Sequence, residues 1–208
     1  MLTTVPNLLS LSRIVVIPVL VGIIWYDSPV ANWVACILFT AASLTDFLDG
    51  YLARTWRQQS KLGRFLDPVA DKLLIAATIL MLVAAGRISG LTVLPALVIL
   101  CREILVSGLR EFLAELQVGM PVNRLAKWKT TLQMIAIGFL LVGHAGPVWA
   151  PIQEIGEIGL WIAAVLTLIT GYDYLRTGLE HMTDDETPGR HDHEPKANPA
   201  KAHSSPPR

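Results

Sequence analysis

Residues 46–71 read DFLDGYLARTWRQQSKLGRFLDPVAD and set four carboxylates, Asp46, Asp49, Asp67 and Asp71, between apolar runs long enough to span a bilayer. An ionised carboxylate near hydrocarbon costs about 2.5–3.5 kcal/mol even on the lenient insertion scale. Four of them are therefore not incidental surface charges. On a helix, Asp46 and Asp49 are three apart and Asp67 and Asp71 four apart, so each pair shares one face. Two helices presenting such pairs to each other make an all-oxygen cage, which suits a hard divalent cation such as Mg²⁺ or Mn²⁺. The competing explanation is an interhelical salt-bridge network with Arg54, Arg57 or Arg64, which rarely needs four acids at these spacings.

The rest of the chain agrees with a membrane setting. Of 208 residues, 52% are hydrophobic, the formal net charge is zero and the mean hydropathy is +0.49. That is too apolar for an ordinary soluble domain and predicts an all-α polytopic membrane protein. Six spans are expected, over about 5–26, 31–54, 65–86, 91–116, 124–144 and 152–176, each near the ~20 residues a bilayer core requires. The first run lacks a signal peptide's cleavage pattern and is read as a retained helix. Positive residues follow span two (Arg54, Arg57, Lys61, Arg64) and span four (Arg110, Arg124, Lys127, Lys129), whereas the other connections carry only Arg87. The positive-inside rule then predicts a cytoplasmic membrane protein with both termini and the Asp cluster facing the cytoplasm. Trp25, Trp33, Trp149 and Trp161 fall near span ends, as in an aromatic belt. Cys36 and Cys101 have no metal-ligand spacing and read as free thiols. Nothing suggests nucleic-acid binding. From about 183 the chain turns rich in Pro, His and charge and is expected to be a disordered tail, leaving 1–182 as the membrane domain. Its His191-Asp192-His193 triplet reads as solvated rather than metal-binding, and His144 as an interfacial residue.

The acidic stretch can be written Asp46-x2-Asp49-Gly50-x2-Ala53-Arg54-x8-Gly63-x3-Asp67-x3-Asp71. This pattern resembles, without a departure, the signature of the CDP-alcohol phosphotransferases, integral membrane enzymes of phospholipid synthesis. The residue types suit that chemistry. Gly50 and Ala53 let a flat nucleotide lie close to the helix backbone, and Arg54 can meet phosphate bidentately. Gly63 is expected to ease the turn between helices, with Pro68 tolerable near the start of span three. The resemblance implies that Asp46, Asp49 and Asp67 hold two divalent ions, with Asp71 also near the metals and acting as general base toward the attacking alcohol. It also implies that Asn7 and Arg13 lie near the nucleotide end of a site for a CDP-linked lipid, and that the protein is a homodimer. A lateral opening toward the bilayer is expected, because the acyl chains must stay in lipid while the headgroup reacts.

For the acceptor alcohol, Arg102, Arg110 and Lys129 are read as an anion pocket opposite the metals, as an acceptor already carrying a phosphate would need. The alternative is ordinary positive-inside anchoring. Glu103 and Glu111 directly follow two of these arginines and are expected to point elsewhere on the helix, with either available as a structural partner. ARTWRQQSKLGRFLDPVADK, CREILVSGLREFLAEL and KWKTTLQM narrow the resemblance to family members that join CDP-diacylglycerol to sn-glycerol 3-phosphate, over about Pro6 to Arg176. Ala126, where related sequences are expected to carry glycine, is the one departure. Sibling transferases using inositol phosphate, phosphatidylglycerol or serine are the nearest alternatives. A divalent-cation transporter is another, disfavoured because the acids cluster at one end with no inverted repeat.

Overall fold

A computed structural model describes the backbone of residues 5–56, 61–115 and 124–184, and the side chains of 8–45, 63, 66, 68–113 and 128–176 within them. The described residues form six long helices and no strand: α1 (Val5–Tyr26), α2 (Pro29–Trp56), α3 (Lys61–Ala84), α4 (Val93–Glu115), α5 (Arg124–Val142) and α6 (Ile152–Asp184). Helices are the natural outcome for such apolar runs, because in lipid each backbone polar group has to be satisfied within the chain. The all-α expectation is met. Three stretches, Leu8–Tyr26, Gly90–Leu113 and Ile152–Arg176, are long and apolar enough to cross a membrane, and Pro29–Thr45 is a shorter apolar helix segment. α2, α3 and α5 each carry charge toward one end: Asp46, Asp49 and Arg54 in α2, Asp67, Asp71 and Lys72 in α3, Arg124, Lys127 and Lys129 in α5.

Helix ends differ from the expected spans in two instructive places. α3 begins at Lys61, four residues before the expected start, so Pro68 sits inside the helix rather than near its first turn. Gly63 likewise lies buried in the first turn of α3, not in the turn between helices. α6 runs on to Asp184, well past the apolar stretch, and the TGLEHMTD segment contains no proline to stop it. Residues 185–208, with the His191–His193 triplet, fall outside the described residues.

α1 packs against α2 and α3, α2 against α5, and α6 against both α4 and α5. The shared core is built from Leu20 and Ile24 of α1, Phe39 of α2, Leu74 and Ile79 of α3, Ile99 of α4, Ile137 and Leu140 of α5, and Leu160 of α6. Small residues bring α5 and α6 together. A Cβ on Gly156 would stand 2.8 Å from Leu140 Cγ, and one on Gly159 3.0 Å from Ala136 Cβ. Close backbone approach of this kind is how helices associate where lipid gives no hydrophobic drive between them.

One end of the bundle is tied by polar groups. Asp27 and Ser28 make the tight turn between α1 and α2, with Asp27 at φ 39° and Ser28 Oγ accepting from the Ala31 amide at 3.1 Å. Beyond α3, Gly86 at φ 72° reverses the chain, a conformation glycine takes without penalty, and delivers Arg87 into the interior. Arg87 donates to Leu141 O at 2.6 Å, Asp27 Oδ1 at 2.6 Å and Asn32 Oδ1 at 2.5 Å. The sequence reading counts Arg87 as the lone positive residue on its side. In the fold it is a buried clamp.

Candidate active site

The opposite end carries the acids. Asp49 lies seven residues before the end of α2 and Asp67 six residues after the start of α3. At a rise of about 1.5 Å per residue, both stand about 10 Å in from those helix ends, and Asp46 and Asp71 about 15 Å in. Two consecutive helices joined by residues 57–60 thus carry their Asp pairs at matching depth. The side chains of Asp46, Asp49 and Asp67 lie outside the described residues, as do those of Asn7, Gly50, Ala53, Arg54 and Ala126. No group of three metal-ligating side chains occurs among the described residues, which include only Asp71 of the four acids. The donor set is all carboxylate oxygen, and it fits a hard divalent cation. Arg13, on α1, is fully buried, with Ser10 one turn before it also buried.

Asp71 is half-buried and closes one end of a groove of about 580 Å³ between α2 and α5. Thr130 and Thr131 face it from the first turns of α5. From there the groove runs along Phe39 of α2 and Met134 and Phe139 of α5 to Trp33, and its walls are overwhelmingly apolar. Leu44 and Ile135 on its rim are exposed. The shape suits a molecule with a polar head at Asp71 and an apolar tail lying outward between two helices.

The three basic residues singled out in the sequence come together on the other side of α5. Consecutive helical residues point about 100° apart, so Lys129 turns into the α4–α6 interior while Thr130 turns toward Asp71. Lys129 is buried and ion-paired with Glu103 of α4. Arg102 Nη1 lies 3.5 Å from the same Glu103 oxygen, and its Nη2 donates to Thr170 Oγ1 of α6 at 3.0 Å. The Arg102 and Arg110 guanidiniums stand 5.7 and 5.8 Å from the centroid of the Tyr174 ring. Glu103 therefore does not point away, as expected from its place beside Arg102. It is the carboxylate that pairs with both Arg102 and Lys129, while Glu111 is exposed.

Lys129 and Arg102 share the Glu103 carboxylate, and the exposed Arg110 lies nearby against Tyr174, so the cluster is cationic on balance among these groups, and its buried part favours an anion.

Sequence reasoning offered Glu103 as a structural partner but expected it to point elsewhere, and it missed the contribution of α6. Gly171 is part of it: a Cβ there would meet Arg102 Cγ at 3.1 Å, so the bare backbone makes room for the arginine stem. The available signal was the Thr170–Tyr174 spacing of four, one helix face at the end of an otherwise apolar run.

The family model for CDP-alcohol phosphatidyltransferases matches residues 3–169, reaching from α1 into α6. A CDP-diacylglycerol–glycerol-3-phosphate 3-phosphatidyltransferase of Rickettsia bellii is 48% identical over 171 residues, covering 82% of this chain and 93% of that protein. Proteins of the same name from Cereibacter sphaeroides and Salmonella choleraesuis are each 38% identical, covering 88% and 86% of this chain and 99% and 97% of their own length. With its acid-bearing helices and basic cluster inside the matched stretch, the chain belongs to the CDP-alcohol phosphatidyltransferase family.

Proposed function

We propose that this protein transfers the phosphatidyl group of CDP-diacylglycerol to sn-glycerol 3-phosphate, giving phosphatidylglycerophosphate and CMP. The observation that carries the acceptor assignment is the cationic cluster of Arg102, Lys129 and Arg110, two of them sharing Glu103, at the same end of the bundle as the Asp pairs. A phosphate monoester brings about two negative charges near neutral pH. Serine has no net charge and phosphatidylglycerol only one, so neither matches. Inositol phosphate would match the charge, and the names of the relatives favour glycerol 3-phosphate over it.

In this reading the acyl chains of the CDP-lipid lie in the groove between α2 and α5, entering past Leu44 and Ile135 from the bilayer. The nucleotide end rests along α2 near Gly50, Ala53 and Arg54, with Gly63 and Asp67 on α3 and Asn7 and Arg13 on α1. Asp46, Asp49, Asp67 and Asp71 would hold divalent ions, Mg²⁺ or Mn²⁺, which would supply charge neutralisation for the pyrophosphate. Arg102, Arg110 and Lys129 hold the phosphate of the acceptor and leave its free hydroxyl aimed toward α3. Asp71 takes the hydroxyl proton. The hydroxyl oxygen then bonds to the phosphorus that bears diacylglycerol, the bond from that phosphorus to the CMP oxygen breaks, and CMP departs. Positioning and electrostatics carry most of such a transfer, since little covalent chemistry falls to the protein. The cationic connections support a site end facing the cytoplasm from the cytoplasmic membrane, with both termini on that side.

The test is CMP release by the purified protein in detergent with CDP-diacylglycerol, glycerol 3-phosphate and Mg²⁺, compared with Asp71→Asn. Loss of a general base should lower turnover by about 10²–10⁴-fold, and chelation of the metal should abolish it reversibly. Unchanged turnover in Asp71→Asn would remove that residue from the mechanism.

A further inference from the structure

Thr170 and Tyr174 stand one turn apart on the face of α6 that meets the basic cluster, but the fold treats them differently. Thr170 Oγ1 is fully engaged: it accepts from Arg102 at 3.0 Å and donates to Leu166 O at 2.8 Å. Tyr174 is only 5% exposed, and its hydroxyl has no hydrogen-bond partner among the described residues. Arg102 Nε, a donor on the guanidinium that lies 5.7 Å from the Tyr174 ring, is buried and unpartnered too. A buried polar group left without a partner costs about 1–3 kcal/mol. Stacking against Arg102 and Arg110 needs only the ring, so phenylalanine would serve the packing equally well without that cost.

Two unsatisfied donors on neighbouring helices, beside a surplus of positive charge, are complementary to the oxygens of an anion. We propose that Tyr174 is a specificity-determining residue, donating its phenolic hydrogen bond, beside Arg102 Nε, to an oxygen of the phosphorylated acceptor. This inference rests on the acceptor reading above. It adds a hydrogen-bonding contact, supplied by α6, to what would otherwise be a purely cationic pocket.

The test uses the full-length protein and Tyr174→Phe, which deletes one oxygen and keeps the ring. CMP release is measured while glycerol 3-phosphate and CDP-diacylglycerol are varied separately, and thermal stability is measured without substrate. The apparent KM for glycerol 3-phosphate should rise about 5- to 20-fold, the loss of one hydrogen bond to a charged group. The KM for CDP-diacylglycerol should stay within about twofold of wild type on the same argument, since Tyr174 faces the acceptor alone. Tm without substrate should stay level or rise, because the fold loses an unsatisfied group. An unchanged KM for glycerol 3-phosphate, or equal increases for both substrates, would overturn the inference, whatever Tm does. Wild-type protein that shows no glycerol 3-phosphate-dependent release would instead overturn the acceptor reading, and this inference with it.

Discussion

Two arginines, the buried Arg87 and the largely buried Arg102, sit at opposite ends of the bundle and are used in opposite ways. Arg87 Nη1 and Nη2 find three acceptors, contributed by the α1–α2 turn, α2 and α5. Its carbonyl accepts from Gln153 of α6 at 2.5 Å, and Gln153 in turn donates to Glu157. Arg102 shares its only described carboxylate with Lys129, lies in a group where cations outnumber acids, and keeps a buried Nε without a partner. The Arg87 guanidinium is held by the fold's own acceptors, whereas the unpartnered Arg102 Nε, beside Tyr174, is available to a group that arrives later.

Substitutions at the two arginines should therefore separate stability from acceptor binding. The largest effect on acceptor binding is expected from Arg102→Met: the KM for glycerol 3-phosphate should rise about 10- to 100-fold, as for loss of a charge-assisted contact, with little change in Tm. An equal rise in the KM for CDP-diacylglycerol would break the contrast by making Arg102 a general support. Arg87→Met should do the reverse. Losing its buried hydrogen bonds should lower stability by about 2–3 kcal/mol, read as a fall in Tm. The ion pair itself adds little, because Asp27 is mostly exposed. The acceptor KM of the molecules that remain folded should not move. Gly171→Ala should give the smallest effect, an acceptor KM raised about threefold, because a new Cβ at 3.1 Å displaces the Arg102 stem by only a few tenths of an ångström. A larger shift there would mean that α6 sets the geometry of the cluster more rigidly than this packing implies.

Much of this was legible in the sequence because membrane chains write their plan in strong signals. Six apolar runs became six helices, and α1 matches its expected bounds from Val5 to Tyr26 because a continuous run bounded by Asp27 and Ser28 leaves little choice. Arg102, Arg110 and Lys129 of spans four and five were expected to lie together, and in the fold they cluster at Glu103 and Tyr174. The partners were harder to read. Glu103 follows Arg102 directly, and adjacency suggests divergence on a helix, yet long side chains can converge on one point between α4 and α5. Gly63 and Pro68 read as turn and helix-start signals, and the helix absorbed both. Arg87 looked like a stray loop charge because the acceptors that bury it come from turns and helix ends far away in sequence. Contacts of that kind depend on how helices cross, which no local pattern encodes.

The central claim is that the surplus positive charge around Glu103 selects an acceptor that already carries a phosphate. The most direct test is CMP release from CDP-diacylglycerol with a panel of glycerol 3-phosphate, inositol phosphate, serine, phosphatidylglycerol and glycerol. Release with glycerol 3-phosphate, and none with glycerol or serine at the same concentration, is the result this structure predicts. Release with glycerol or serine as efficient as with glycerol 3-phosphate would contradict it, and would leave Arg102, Arg110 and Lys129 as anchors of the bundle alone.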